Sequence, residues 1–480
     1  MTAVWPESLP PPLRTVDIKP GNNTEATDQI SGRRIVRNWG HKPADQVTVQ
    51  FRIRQTQEAD FKNFWHRVGM DVTWFEADWL TSMLYPNHKA RILGYPRRKG
   101  ISNIWMDFSV TLLVVHEDLA VDADPWLSAG TGVPLPPSPD EFFFAISSEA
   151  SPYVLAYPWH DDSGVFGAKF SNPATLPAGV GAVVKFSPEG DYILVQHQTT
   201  PGVSAYPWLP GGGFGTKLSD PSPVAGPTSS YARAGISFTP ESDYVAIAHE
   251  DSTSVYAWSG GFGTRASNPA TLPAGADVSV TFSPEGDYIA IGSGSSPRIQ
   301  VYPWTGAFGT KLSDPGSIPP NAVGGVAFSP DGAFLALAYP TSSSNPWVVV
   351  YNWSNGFGSQ VSAPSPALGS ASGETVTFSF HGDYIAAGNF DTSPYIVVYP
   401  WVGGFGTKVS NPEHSPAGPI IGEICFSPSD NFLAMPSGGS GSPFFTIYAW
   451  SGGFGGKVSA PITIPSGNGT SVAFGVQEGS

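Results

Sequence analysis

Cysteine is almost absent: Cys425 is alone in 480 residues. It cannot form an intrachain disulfide or a thiolate metal cluster, which fits assembly in a reducing cytosol. Charge is also sparse, at 13% of residues, and long amphipathic helices have too little of it to build from. No apolar window approaches the length of a bilayer span, and Met1–Glu7 has no basic stretch leading into an apolar one, so no membrane span and no recognisable export signal are expected. Lysine and arginine are scarce after residue 140. Equal numbers of acidic and basic residues precede Asp140, so the net charge of −15 falls on the remainder, which excludes nucleic acid as a partner there.

Glycine (55), proline (48) and aromatics (13%) are abundant, a composition typical of short strands and tight turns. The length exceeds what one hydrophobic core serves, so more than one domain is expected.

One pattern recurs seven times from residue 140 onward. Its first half is an apolar strand ending at Phe186, Phe238, Phe282, Phe328, Phe378, Phe426 or Phe474, usually within Phe-Ser-Pro. A turn such as Ser283-Pro284-Glu285-Gly286-Asp287 and a second apolar strand follow. Its second half is a strand ending at Trp159, Trp208, Trp258, Trp304, Trp353, Trp401 or Trp450, then Gly-Phe-Gly and a Ser-Asn-Pro-like segment. The tryptophans are spaced 46 to 50 residues apart, the size of a four-stranded propeller blade. Proline and glycine set the first hairpin, and the turn aspartates Asp191, Asp243, Asp287 and Asp383 cap it with their carboxylates; this accounts for them better than a ring of cation ligands would. The tryptophans fill the wedge between blades.

The repeat begins without an inner strand before Glu141 and ends with one, Thr470–Phe474, that lacks a partner. The two ends therefore complete one blade. The fold class is mainly all-β: a seven-bladed propeller over 140–480 with split-blade closure, preceded by a small α+β domain. Residues 1–32 read as an extended arm, 33–118 as that β-rich domain, and 119–139 as a proline-rich linker. Within the small domain, strands are expected at Gln46–Ile53, Val72–Phe75, His88–Gly94 and Trp105–His116, with a short helix at Glu58–Trp65.

The Phe-Ser-Pro-x-Gly-Asp hairpin resembles those of WD40-like and lactonase-like propellers. The tryptophan is followed by Ser259, Thr305 or Val402 rather than aspartate, which sets the chain apart from true WD40 blades. The Tyr-Pro-Trp, Gly-Phe-Gly-Thr-Lys and Ser-Asn-Pro-Ala-Thr-Leu-Pro elements look like repeat proteins of tailed bacteriophages. The strand order of 33–118, with Phe61 and Trp65 on its helix, resembles a domain of phage minor tail and baseplate proteins. That resemblance implies a non-enzymatic virion protein assembled in the host cytoplasm. The N-terminal arm and domain would attach it to other virion proteins of the tail, and the propeller would meet a host-surface glycan or protein. Capsid decoration and a lactonase-like hydrolase are the alternatives.

No catalytic, metal or cofactor signature is present. The nine histidines are scattered without Glu-x-x-His or i,i+4 spacing, and no blade is singled out by charge. Comparison of the repeats shows instead that the turns from first to second and from third to fourth strand are uniform, whereas the other two connections vary. The variable connections share one face, where recognition has room to differ. At the start of the third strand, after a loop proline, stand Arg298, Trp347, Tyr395, Phe444 and, after closure, Tyr153. These five are the candidate partner-binding residues, against the plainer account that they tuck between blades.

Overall fold

The computed structural model describes the backbone of eight strands between residues 3 and 116. With side chains it describes residues 141–477, apart from 210, 229–234, 250–251, 274, 277–278, 342–346, 365–370 and 440–441. The chain divides into two units, Met1–Asp140 with Gly479–Ser480, and Glu141–Glu478. Among the described residues there is no helix.

The first unit contains β1 (Ala3–Val4), β2 (Arg14–Lys19), β3 (Thr24–Asp28), β4 (Arg34–Asn38), β5 (Asp45–Arg54), β6 (Phe75–Glu76), β7 (His88–Ile101) and β8 (Trp105–His116). Six of them form one sheet in the order β1-β6-β7-β8-β5-β2, while β3 and β4 make a separate hairpin. Strand β5 pairs with β8 along its whole length, from Asp45↔Val114 to Arg54↔Trp105. Strands β1, β2 and β3 lie in the stretch that composition reads as an extended arm. Pairing at a sheet edge, as β1 and β2 do, or in a hairpin, as β3 does, takes backbone donors and acceptors rather than an apolar core, and composition does not report those. The helix expected at Glu58–Trp65 and the linker at 119–139 fall outside the described residues.

The second unit is a seven-bladed propeller. In each blade, strands A to D run from the axis outward. Blade 3 shows the full set: Gly235–Phe238, Tyr244–His249, Ser252–Trp258 and Phe262–Arg265. In blades 2, 4 and 6 strand D shrinks to single bridges, Trp208↔Phe214, Trp304↔Phe308 and Trp401↔Phe405. Closure is as the repeat phase requires: Gly469–Glu478 supplies strand A of blade 1, beside Asp140–Ser148, Val154–His160 and Val165–Phe166.

The repeated aromatics build the blade boundaries. Trp304 is ringed edge-on by Phe282 and Phe308 of its own blade and by Tyr244 of the preceding one, at centroid distances of 5.6, 5.1 and 5.2 Å. Every blade repeats this cage, and around Trp159 its members are Phe474, Phe166 and Phe432. The strand-C tyrosine two residues before each tryptophan is buried, and six of the seven hydroxyls donate to a carbonyl of the D–A loop, as Tyr302 does to Thr271 at 2.7 Å. Six of the D–A loops are therefore pinned.

The hairpin caps differ in detail from expectation. In six blades the Ser or Thr hydroxyl of the turn accepts the N–H that opens strand B, as Ser283 Oγ does from Tyr288 at 3.0 Å. A carboxylate takes part beside it in two: Asp287 accepts from Ser283, and Asp331 accepts from Ser329 and Ala333. The hydroxyl lies at the mouth of the turn and reaches the amide directly, which is why it carries most of the capping.

Candidate functional site

The antiparallel blades put the A–B and C–D turns on one face and the B–C and D–A loops on the other. Trp159 pairs with Phe142 at the C–D end of blade 1, so Glu141 enters on the hairpin face. The closing strand ends there too, since Gln477 Nε2 donates to Asp191 Oδ1 and to Trp208 O. Both chain ends of the propeller leave the loop face clear.

On the loop face, a repeated tight turn opens strand C. Tyr153, Arg298, Tyr395 and Phe444 all have positive φ, between 64° and 71°. In each, the carbonyl of that residue accepts an N–H at the end of strand B, from its last residue (Ser148, Ser293 and Asn389) or from the residue just after it (Ser437), at 2.7 to 3.0 Å. A left-handed conformation at a large side chain costs on the order of 1–2 kcal/mol. Blade 2 has Gly202 there at φ +86°, and a Cβ on it would stand 2.3 Å from Gly226 O. Blade 2 therefore presents no side chain at this position.

Four of the five candidate residues, Tyr153, Arg298, Tyr395 and Phe444, lie half-buried at this turn, and the Arg298 guanidinium donates to Gly294 O. Trp347 does not join them. It is 1% exposed and packs with Ala371, Val376 and Val397 of blade 6. Its carbonyl accepts from Tyr339 N–H at 2.9 Å, as the carbonyls of its counterparts accept from the end of strand B, but its ring lies in the blade boundary. Beside Tyr395, Phe390 is 47% exposed in the B–C loop of blade 6, a position the repeat comparison passed over.

The A strands meet around the axis. Immediately before the strand-A phenylalanine stand Lys185, Ser237, Thr281, Ala327, Thr377, Cys425 and Ala473. Lys185 Nζ lies 3.1 Å from Glu423 Oε2, linking blade 2 to blade 7. The expectation that no blade is singled out by charge is therefore corrected: the axis holds one ion pair among small and neutral side chains. Lining the repeats up at this position would have found it, because Lys185 is its one charged residue.

Glu423 holds the Lys185 ammonium above its ordinary range, so the amine is charged and not a nucleophile. Burial pushes the Cys425 thiol up to about 12 despite the nearby Lys185, and it stays protonated. Glu374, on strand A of blade 6 (Ala371–Phe378), is raised to about 7, first by burial and then by the negative charge of Asp391. Of these three groups it alone is suited to proton transfer near neutrality.

Two Ser–His contacts occur elsewhere, Ser204 with His197 Nε2 at 3.0 Å and Ser254 with His249 Nε2 at 3.1 Å. All four residues are buried, and burial lowers His197. They cap strand-B ends beneath the loops and are closed to substrate. The hairpin face carries a cleft of about 250 Å³ between blades 2 and 3, lined by Glu189, Asp191, Glu241, Asp243, Tyr192 and Trp258. Among the described residues no three His, Cys, Asp or Glu side chains converge as metal ligands.

No protein-family model matches the sequence, and comparison with curated proteins finds no match. Solved structures do resemble it. A putative 6-phosphogluconolactonase from Bacteroides uniformis is 17% identical, with a TM-score of 0.51 over 70% of this chain and 99% of its own. A protein from Lactobacillus plantarum is 15% identical, with a TM-score of 0.50 over 70% and 99%. The β-propeller domain of Myceliophteria thermophila Cps50 (Swd1) is 14% identical, with a TM-score of 0.45 over 64% and 96%. At these identities the likeness of the first two is one of fold alone.

Proposed function

We propose that this chain is a non-enzymatic structural protein of a tailed-phage virion, held on the tail by its N-terminal region and presenting the propeller to a host-surface glycan or protein. The observation that carries this reading is the division of the two faces. Both chain ends leave from the uniform hairpin face, while the variable loops, the D–A ones pinned by tyrosine hydroxyls, occupy the other. A tethered module that recognises something outward needs that arrangement. The resemblance of the repeats and of residues 33–118 to phage proteins supplies the setting. The axial amine and thiol, charged and protonated respectively, offer no nucleophile. The test is electron microscopy of purified particles with the protein labelled: density on the tail supports the reading, density on the capsid replaces it with decoration, and no density overturns it.

A second reading has one observation in its favour. Glu374 titrates near neutrality in a fold shared with a putative 6-phosphogluconolactonase. A lactone hydrolysis assay decides it, with turnover that Glu374→Gln abolishes counting for hydrolysis.

A further inference from the structure

Among the described residues, the ion pairs of the propeller are Lys185–Glu423, Lys217–Asp220 and Lys311–Asp314, and His381 Nδ1 lies 2.8 Å from Asp430 Oδ2. The lysine–aspartate pairs with Asp220 and Asp314 are local, and His381–Asp430 joins neighbouring hairpins of blades 6 and 7. Lys185–Glu423 alone joins blades that are not neighbours. The blade it spans is blade 1, the one whose strand A reaches its sheet from the far end of the repeat region.

We propose that Lys185 and Glu423 form a latch across the closing strand, which makes the junction of blades 7, 1 and 2 the place where the propeller opens and the ion pair the element that holds it shut. Each strand beside the closing strand, Gly469–Glu478, reaches it through side chains or close backbone approach. From blade 2, Val184 N–H donates to Ser471 Oγ at 3.4 Å, and Gly181 O accepts from Thr470 Oγ1 at 2.8 Å. Thr470 Oγ1 also lies 2.8 Å from Ser147 Oγ of strand B. From blade 7, Cys425 Sγ donates to Val472 O at 3.5 Å. Gly422 passes so near that a Cβ on it would stand 1.7 Å from Thr470 O. Lys185 directly follows the blade 2 contact and Glu423 lies between Gly422 and Cys425, so the pair ties together the two strands that grip the closing one. The equivalents of Lys185 in blades 3 to 6 are Ser237, Thr281, Ala327 and Thr377, and none can span the axis in this way. The other blades have no need of a latch, because their A and B strands are joined by a hairpin.

The side chains are 42% and 28% exposed, so solvent screens the pair and salt weakens it. Hydrogen exchange on the full chain tests the proposal. In Lys185→Met and in Glu423→Gln, amides of 469–478 and of their strand-B partners should exchange about fivefold faster, while those of blades 3 to 5 keep their rates. High salt should produce the same local change in the parent protein and no further change in Lys185→Met. Should the variants fail to fold, the salt response of the parent protein still decides the matter. The exchanged pair Lys185→Glu with Glu423→Lys should restore protection. A uniform loss over all blades, or unchanged rates at 469–478 in variants and in high salt, overturns the proposal.

Discussion

The indole of Trp258 in blade 3 meets the ring of Tyr192 in blade 2 edge to face, with centroids 5.3 Å apart and planes at 85°. Tyr192 follows the turn of one repeat and Trp258 ends the third strand of the next, so the contact joins two copies of the motif rather than two halves of one. The same pairing passes through Trp304, Trp353 and Trp450 with Tyr244, Tyr288 and Tyr384. Blade stacking is thus written once per repeat.

Removing one such indole should be costly and local. Trp258→Ala deletes a side chain 5% exposed and leaves a cavity against Phe238, Phe262 and Tyr192. A loss of about 3–5 kcal/mol is expected. The check is denaturant unfolding, with the midpoint lowered and Tyr192→Ala adding less than its own separate cost, because the two share one contact.

The closing strand sets a second expectation. Ending the chain at Asn468 removes Gly469–Glu478 and exposes the edge of Asp140–Ser148 to solvent. Cooperative melting should give way to a broad transition at lower temperature, with a tendency to associate through the open edge. A truncated protein that melts as sharply and as high as the parent would contradict the split-blade closure.

Much of this architecture could be read from the chain because it repeats. Seven tryptophans and seven strand-A phenylalanines carry the blade count and the closure, since each copy places the same aromatic in the same cage. The candidate site was harder to read because its residues are exceptions to the repeat. Trp347 shares a sequence position with Tyr395 and Phe444 but is buried where they are half-buried, and strand-level patterns do not encode how deep a side chain at a loop base sinks. Glu423 and Lys185 are 238 residues apart, and only the ring brings them together.

Glu374 gives a pH dependence with a definite sign. Its folded pKa, about 7, lies above the unfolded value of 4.5, so the folded state holds the proton more tightly. The associated stability is fully present below about pH 4.5 and is lost as pH rises through 7. The loss is on the order of 3 kcal/mol at most. Glu374→Gln keeps the neutral shape and removes the titration. It should therefore melt near the parent at pH 4 and above it at pH 8; thermal scans across that range check this, and parallel curves would show that the carboxyl is not held in this way.

Tyr395 and Phe444 provide the test of the loop face. Both are half-buried and both occupy a left-handed conformation that glycine adopts freely, as Gly202 does in blade 2. Replacement by glycine removes an aromatic ring but relieves backbone strain on the order of 1 kcal/mol, so the two effects on stability oppose each other. A ring retained for recognition should then show little change in melting temperature in the Tyr395→Gly, Phe444→Gly double variant. Binding should fall at least about tenfold, because stacking contributes roughly 0.5–1.5 kcal/mol per ring beyond burial. The measurement pairs thermal unfolding with adsorption of the isolated protein to host cells. A large drop in melting temperature with adsorption unchanged would assign both rings to packing between blades and move the search for a contact surface to Phe390 and the D–A loops.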